Sequence, residues 1–193
     1  MAQALSTMRG VEYRRAGPEH YTGIVRLQRA NYIANLSAEE RREGFLSAEF
    51  SFEEVAAIAS DLGIAIVTMD DDLAGCLCAI RREFDHGSPV VAKMLESYDQ
   101  ATFEGKPLSA FNSYIYGPVC IARQYRRRGL LRGLYNFQKK DLASQFEVGV
   151  ALVSHSNRHS MQAHVDGLGM TEAGEFEVNG NLYAILAFRV SAR

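Results

Sequence analysis

The sequence has little of what marks a secreted or membrane-bound protein. Its three cysteines, Cys76, Cys78 and Cys120, are an odd number at spacings that form no recognised disulfide or zinc framework, which favours a reducing compartment. Residues 1–10 contain no apolar run typical of a secretory signal, and the longest apolar stretch, around 64–69, is far shorter than the roughly 20 residues of a membrane span. We therefore expect a cytoplasmic protein that does not contact a membrane.

The sequence also lacks an excess of charge of either sign. Lys and Arg total 21 against 23 Asp and Glu, for a formal charge of −2, whereas a protein whose main partner is bulk nucleic acid is usually more basic. The 193 residues are 47% hydrophobic and 23% charged, as in ordinary globular proteins, and contain no internal repeat or low-complexity tract. We expect a single domain over residues 1–193.

Apolar periodicity predicts a sheet with helices packed on it. The predicted strands lie at 11–15, 63–69, 73–81, 111–122 and 148–153, with a final hairpin over 172–190 that turns at Asn179-Gly180. Helices are predicted from 21 to about 35, over 51–60 behind a Ser51–Glu54 capping box, from 129 onward, over 160–168, and after Ser88-Pro89 within a helical insertion at about 85–110. Gly117-Pro118 interrupts the richest strand, which must bulge or splay there because proline cannot donate a ladder hydrogen bond.

An arginine-rich segment joins that strand to the next helix. Five arginines fall within Arg123–Arg132, at a place where backbone amides and the helix dipole form an anion site. Gly129 would let a pyrophosphate approach the backbone closely, with guanidinium groups adding charge-assisted hydrogen bonds. A solvated basic helix start is the plainer alternative, and nucleic-acid binding through Arg123–Arg132 is a weaker one. The phosphate-loop pattern GxxxxGK and the dinucleotide pattern GxGxxG are both absent.

Two motifs resemble those of a known family. Residues 119–129 resemble L-x-V-x-P-x-Y-R-x-x-G, with Arg123 in place of the proline, and residues 157–170 resemble a pattern of N-x-x-S/A, then Y/H, then L-G-F. By these motifs the chain resembles the GNAT superfamily of acetyl-CoA-dependent N-acetyltransferases. The resemblance implies an α+β fold, with a mixed, mainly antiparallel central sheet, a splayed central strand and flanking helices. Leu131 at a small-residue position, and one extra residue between His164 and Gly169, depart from the pattern.

The resemblance implies acetyl-CoA as cosubstrate. Backbone groups of the central strand would contact pantetheine, and amides of the following loop would contact the pyrophosphate. The residues implied to bind the cosubstrate are Val119, Ile121, Arg123, Arg126, Arg127, Arg128, Gly129, Leu130, Leu131 and Asn157.

The resemblance also implies the chemistry, which is attack of a neutral amine on a thioester. The Ile121 amide would stabilise the oxyanion, and His164, at a position where the family often has tyrosine, would be the acid. The family's strand glutamate falls at about Ile115, so the base would be either a water held by Tyr116 or Asn112 or another residue that the motifs do not identify.

Several residues have a structural and a functional interpretation. For Cys120, packing in the core is a stronger interpretation than a role as nucleophile, and for Tyr135 it is stronger than a role as proton donor. His155 and His159 have no third ligand at metal spacing, so no metal site is expected.

The acceptor is less well defined. In the family, segments matching 36–50 and 85–110 determine it. The acidic residues Glu39, Glu40, Glu43 and Glu49 either attract a cationic amine or form a solvated face. No long acidic groove is evident, so we expect the primary amine of a small molecule. A non-catalytic acyl-CoA-binding module is the alternative function. Neither nucleic acid nor membrane is expected as a partner. The oligomeric state is left open between a monomer and a homodimer, because dimers are common in such folds.

Overall fold

The computed structural model describes residues 10–84 and 87–191. Residues 1–9, which carry most of the expectation about a secretory signal, and 85–86, at the start of the expected insertion, lie outside this range. The strands are β1 (Val11–Arg15), β2 (Ile64–Met69), β3 (Asp72–Ile80), β4 (Thr102–Phe103), β5 (Lys106–Pro107), β6 (Ser113–Ile121), β7 (Val148–Ser154), β8 (Thr171–Val178) and β9 (Asn181–Arg189). The helices are α1 (Tyr21–Asn31), α2 (Ala38–Arg41), α3 (Phe52–Ser60), α4 (Pro89–Glu96), α5 (Leu130–Leu142) and α6 (Arg158–Gln162).

Seven strands form one sheet in the order β1-β2-β3-β6-β7-β9-β8. Every neighbouring pair is antiparallel except β6 and β7, which run parallel. A parallel pair needs a long crossover connection, and here α5 supplies it. This is the mixed, mainly antiparallel sheet expected from the sequence, and that expectation is confirmed.

Helices cover both faces of the sheet because the central strands are apolar on both sides. Along β2, Ile64 and Ile66 pack in the cluster that includes α1, α3 and α4, whereas Ala65 and Val67 pack in the cluster that includes α5. Side chains alternate between faces along a strand, so an unbroken apolar run is required when both faces are buried.

Local signals define most element ends. Ser51 accepts a hydrogen bond from the Glu54 amide and Glu54 bonds back to the Ser51 amide, which confirms the capping box that begins α3. Asn179 and Gly180 have φ of 51° and 74°, the paired positive values that a type I′ hairpin turn requires. Helix α1 ends at Asn31, earlier than predicted, and a 3₁₀ turn follows over Ile33–Asn35.

The segment after β3 contains α4 and, as an unpredicted feature, the two-stranded β4–β5 sheet. Ser88 caps α4 through its hydroxyl, which accepts from the Val91 amide. Met94 and Tyr98 anchor this segment in the same core cluster as α1 and α3. Within the described part of the chain, no helix has the length and apolar character needed to cross a bilayer.

Candidate active site

A wedge opens between the two central strands. β6 and β7 pair only where Ser113–Ile115 meets Val148–Val150. Beyond Ile115, β6 remains paired with β3 and β7 remains paired with β9, so their facing edges separate. Gly117 and Pro118 lie where the separation begins, and the ladder between β6 and β3 shifts register opposite them, between Leu77 and Ala79. The splayed strand expected from the sequence is confirmed.

The open edge of β6 presents backbone groups to the wedge. The Ala122 amide donates to the Ala74 carbonyl of β3 at 2.8 Å. Because N–H groups alternate in direction along a strand, the amides of Val119 and Ile121 lie on the edge that faces away from β3. An extended ligand in the wedge would therefore meet these amides as an added strand does.

A cavity of about 280 Å³ lies between the end of β6 and the start of α5, and we call it the loop cavity. Most residues expected to bind acetyl-CoA line it: Val119, Ile121, Arg126, Arg127, Gly129, Leu130, Leu131 and Asn157. Arg123 and Arg128 are not among the lining residues. The fold therefore gathers the two sequence motifs, which are about 30 residues apart in the chain, around one space.

Helix α5 begins at the edge of this cavity. Gly129 precedes it with φ of 76°, in the left-handed region that favours glycine. Among the described residues, no side chain caps the helix, so its first-turn amides are open to an anion. A Cβ at Gly129 would meet no atom within 4 Å, so the space over these amides is clear. The arrangement fits the pyrophosphate of CoA.

Arg126 was expected to bind acetyl-CoA, and in the structure its side chain bonds to three groups of the protein itself. Its Nε donates to the Ile121 carbonyl at 3.2 Å, Nη1 donates to the Glu43 carbonyl at 2.9 Å, and Nη2 donates to Asn31 Oδ1 at 2.6 Å. These bonds tie the end of β6 to α1 and to the chain after α2. The Arg126 side chain thus positions neighbouring segments, and the uncapped backbone amides at the start of α5 lie beside it.

Carboxylates balance the exposed arginines of this segment. Arg123 bonds to Glu40 at 2.7 Å, and Arg127 bonds to Glu43 at 3.1 Å. A backbone hydrogen bond from Ser37, followed by the bond from Arg123, lowers the pKa of Glu40 to about 2, so this carboxylate stays ionised at any ordinary pH. Glu40 and Glu43 therefore face arginines, which does not support the interpretation that they attract a cationic amine.

Three further residues of the acidic and basic sets, Glu49, Arg128 and Arg132, also have local partners. Glu49 lies 3.9 Å from Arg29. The Arg128 guanidinium lies over the Tyr125 ring, 5.7 Å from its centroid, and Arg132 donates to the Gly167 carbonyl. Several arginines of the segment Arg123–Arg132 are therefore engaged by groups of the protein itself and are less available to phosphates, which weakens the nucleic-acid alternative.

A second cavity of about 200 Å³ lies deeper in the wedge, and we call it the strand cavity. Its walls come from the chain after α2, from α4 and from strands β6, β7 and β9. It meets the loop cavity at six residues that line both: Phe45, Leu46, Val119, Asn157, Ser160 and His164. The boundary between the cavities is the place where a group carried through one could react with a molecule held in the other.

His164 lies at this boundary and is 4% exposed. Its Nδ1 lies 2.7 Å from the Ser160 carbonyl oxygen, which only accepts, so Nδ1 carries the proton and Nε2 holds a lone pair. Burial lowers the pKa of His164 below its usual 6.5, so the ring is neutral at pH 7. This state makes His164 a proton acceptor first, whereas the sequence predicted a donor.

The extra residue after His164 is absorbed locally. Residues 163–167 form a π-helical turn that continues α6. Such a turn accommodates one additional residue within a helix. His164 consequently still lines both cavities despite the insertion.

Asn157 holds the boundary together. Its Oδ1 accepts from the Ser160 amide at 3.3 Å, and its Nδ2 donates to the Phe45 carbonyl at 2.8 Å. Asn157 therefore caps the N-terminus of α6 and, through its bond to the Phe45 carbonyl, holds the chain after α2 next to this helix. Its contacts within the protein are those of a positioning residue.

Tyr116 borders the strand cavity with its ring. The hydroxyl oxygen is buried and has no hydrogen-bond partner among the described residues. The ring packs edge-on against His164, with centroids 5.6 Å apart, and burial raises the pKa of Tyr116 well above its usual value. This geometry suits a packing role beside His164 better than the expected role of holding a water.

The other residues with two interpretations lie in structural positions. A hydrogen bond with Cys76, and then burial, raise the pKa of Cys120, so its thiol is a poor nucleophile. Tyr135 is buried and its pKa is raised to about 12. Asn112 donates to the Gln145 carbonyl at the far end of β6 and lines neither cavity.

Metal-ligating side chains do not gather. In residues 10–84 and 87–191, no group of three or more His, Cys, Asp or Glu side chains is placed to hold a metal ion. His155 pairs with Glu175 at 3.8 Å, whereas His159 lines the loop cavity.

Sequence reasoning missed individual residues of the strand cavity. The segments 36–50 and 85–110 were singled out only in outline, and the structure brings Phe45, Phe50 and Val91 from them into the lining of the strand cavity. Tyr183 of β9 also lines this cavity. The nearest available signal was apolar spacing, which indicates burial but does not tell a cavity wall from a packed core.

The sequence matches no family model. It also matches no curated protein. Solved structures do resemble the chain. One is yncA from Salmonella typhimurium with its cofactor acetyl-CoA, at 13% identity and a TM-score of 0.63, covering 96% of both chains. Another is the ribosomal-protein-S18-alanine N-acetyltransferase of Escherichia coli, at 12% identity and a TM-score of 0.60, covering 95% of this chain and 96% of that one.

A GNAT-family structure from Desulfovibrio desulfuricans is also similar, at 15% identity and a TM-score of 0.61, covering 94% of this chain and all of that one (100%). At such identities the likeness concerns the fold. The chain has the GNAT fold along nearly its whole length, as its two motifs led us to expect.

Proposed function

We propose that this protein is an N-acetyltransferase that moves the acetyl group of acetyl-CoA to the primary amine of a small molecule. The observation that carries the proposal is the meeting of two cavities at a neutral, buried His164. One cavity has the backbone features of a CoA site, and the other is a mainly apolar space that adjoins it.

The residues present fit CoA. Gly129, Leu130 and Leu131 would hold the pyrophosphate through first-turn amides of α5. The outward amides of Val119 and Ile121 would pair with the extended pantetheine chain. The Ile121 amide is also a donor for the oxyanion that forms during acyl transfer.

Acetyl-CoA supplies the acetyl thioester: the amine nitrogen bonds to the carbonyl carbon, the carbon–sulfur bond breaks, its electron pair stays on sulfur, and sulfur ends protonated as free CoA. An alkylammonium loses two protons on becoming an amide, of which one ends on the CoA sulfur and one in solvent. His164 Nε2 would receive the first proton from the ammonium and, once protonated, would be a proton donor at the boundary between the cavities.

Calorimetry and turnover together test the proposal. Acetyl-CoA and CoA are titrated into the protein with ATP as the control nucleotide, and free thiol and acetylated product are measured over a panel of small primary amines. We expect both CoA forms to bind, ATP to bind far more weakly, and product to equal released thiol for at least one amine. Tight CoA binding without acetylation of any amine would contradict the proposal and favour an acyl-CoA-binding module.

A further inference from the structure

The strand cavity indicates which amines the protein accepts, an inference that rests on the proposed function. We infer that the acceptor is an amine carried on an apolar aliphatic or aromatic body, rather than a polyamine or a basic amino acid. The inference follows from the walls of the cavity, from the charges that line it and from its effect on the amine.

The lining of the strand cavity is mostly apolar. Phe45 and Phe50 come from the chain between α2 and α3, Val91 comes from α4, and Ile115 and Leu152 come from the two splayed strands. An apolar substituent placed among these side chains would leave water, at a gain of about 25 cal/mol per Å² of surface buried. Small-molecule sites are typically built in this way, with few polar groups that orient the ligand.

None of the described residues that line the strand cavity is charged. Its polar groups are hydroxyls such as those of Ser47 and Ser154, together with the boundary residues Asn157, Ser160 and His164. A second ammonium at the far end would lose water without meeting a carboxylate, which is costly. Glu43, which lines the adjoining loop cavity, is paired with Arg127, and Glu49, whose chain neighbours Ala48 and Phe50 line the strand cavity, lies 3.9 Å from Arg29.

The apolar walls also help the chemistry. Desolvation disfavours the charged form of an amine and so lowers its pKa. An acceptor whose amine lies at His164 and whose body fills the strand cavity loses its proton more readily than it does in water. This effect offsets the lack of a carboxylate where Ile115 occupies β6, because a weaker base then suffices.

A matched pair of amines tests the inference. Hexylamine and cadaverine have the same number of non-hydrogen atoms, but the far end is a methyl group in the first and an ammonium in the second. With saturating acetyl-CoA, we expect kcat/KM for hexylamine to exceed that for cadaverine by about 100-fold, the scale on which an apolar site discriminates. β-Phenylethylamine should behave like hexylamine.

A charge placed in the cavity wall sharpens the test. Ala48 lines the strand cavity and is exposed, so Ala48→Asp should not disturb folding, whereas Ala92→Asp changes an exposed residue of α4 that does not line the cavity. We expect Ala48→Asp to reduce the preference for hexylamine by about 10-fold and Ala92→Asp to preserve it.

Equal or greater kcat/KM for cadaverine in the wild type would overturn the apolar acceptor while acetyl transfer itself stands. An unchanged preference in Ala48→Asp would also overturn it, because the cavity would then not hold the far end of the amine. Transfer to neither amine, nor to any other in the panel, would overturn the proposed function and this inference with it.

Discussion

The loop cavity and the strand cavity share six residues but differ in how they are built. The loop cavity is bordered by backbone amides, by Arg126 and Arg127 and by their partner Glu43. The strand cavity, as far as the described residues line it, has apolar walls and hydroxyl groups without charge. The wedge thus contains a cavity with open backbone amides and a mainly apolar cavity beside it, with His164 between them; under the proposed function the first holds the cosubstrate and the second the amine. Five predictions test whether this division is correct.

The boundary itself should show the largest effect. Replacing His164 by Phe keeps a ring against Tyr116 but removes the proton acceptor, so kcat should fall by at least about 100-fold, the usual scale of general base catalysis. His155→Phe, at an exposed histidine that lines neither cavity, is the control and should retain kcat. Steady-state thiol release at saturating substrates measures both variants, and equal rates would remove His164 from the mechanism.

The same histidine predicts a pH dependence. Burial lowers the pKa of His164 below 6.5, and a histidine acts as a base only when it is neutral. Titration of His164 should therefore not change kcat above pH 6.5, and kcat should fall as the pH drops through the lowered pKa. The free energy of unfolding should change in the same direction, because His164 binds a proton more readily in the unfolded chain. The contribution of His164 to stability is complete above pH 6.5 and is lost as the pH falls through the lowered pKa. Both slopes should be absent in His164→Phe, as kcat profiles and urea unfolding at several pH values would show.

A negative charge at Gly129 should weaken CoA binding in the loop cavity without changing the strand cavity. Gly129→Glu places a carboxylate over the first-turn amides and should weaken CoA binding by about 10- to 100-fold, the worth of charge-assisted hydrogen bonds. Gly180→Glu is a matched control, because Gly129 and Gly180 have φ of 76° and 74° and both face open space. Calorimetry on the two variants separates charge at the loop from backbone strain, and equal losses would point to strain.

Arg126 should couple the two cavities. Arg126→Gln removes bonds to Asn31, to the Glu43 carbonyl and to the Ile121 carbonyl, and should lower the free energy of unfolding by about 2 kcal/mol. Because the chain that follows Glu43 forms a wall of the strand cavity, KM for the amine should rise together with Kd for CoA. A change confined to CoA affinity would mean that Arg126 binds phosphate directly.

The smallest effect should come from the rim of the loop cavity. Arg127 and Glu43 form an exposed pair, and such pairs contribute less than about 1 kcal/mol. Glu43→Gln should leave the unfolding midpoint nearly unchanged and should tighten CoA binding slightly, since Arg127 is released. Weaker CoA binding in this variant would show that Glu43 orders the loop.

The motifs around Gly129 and Asn157 were found in the sequence because local geometry required them. Gly129 has a positive φ at a helix start, and Asn157 caps α6, and both requirements are met by neighbours in the chain. The role of Arg126 was not found. Its partners Asn31 and Glu43 are more than 80 residues away, and a pattern of arginines does not distinguish a phosphate ligand from an internal tie.

The sequence by itself determined the seven strands of the main sheet and the main helices, since alternation, caps and turn residues act over a few neighbours. It also predicted an anion site at the start of α5. Only the tertiary structure decided the apolar strand cavity, the protonated nitrogen of His164 and the balance between arginines and carboxylates. Those features depend on contacts such as that of Asn157 with the Phe45 carbonyl, which joins residues 112 positions apart. Packing determines which distant groups meet, and the pKa and hydrogen-bond partner of each group follow from that meeting.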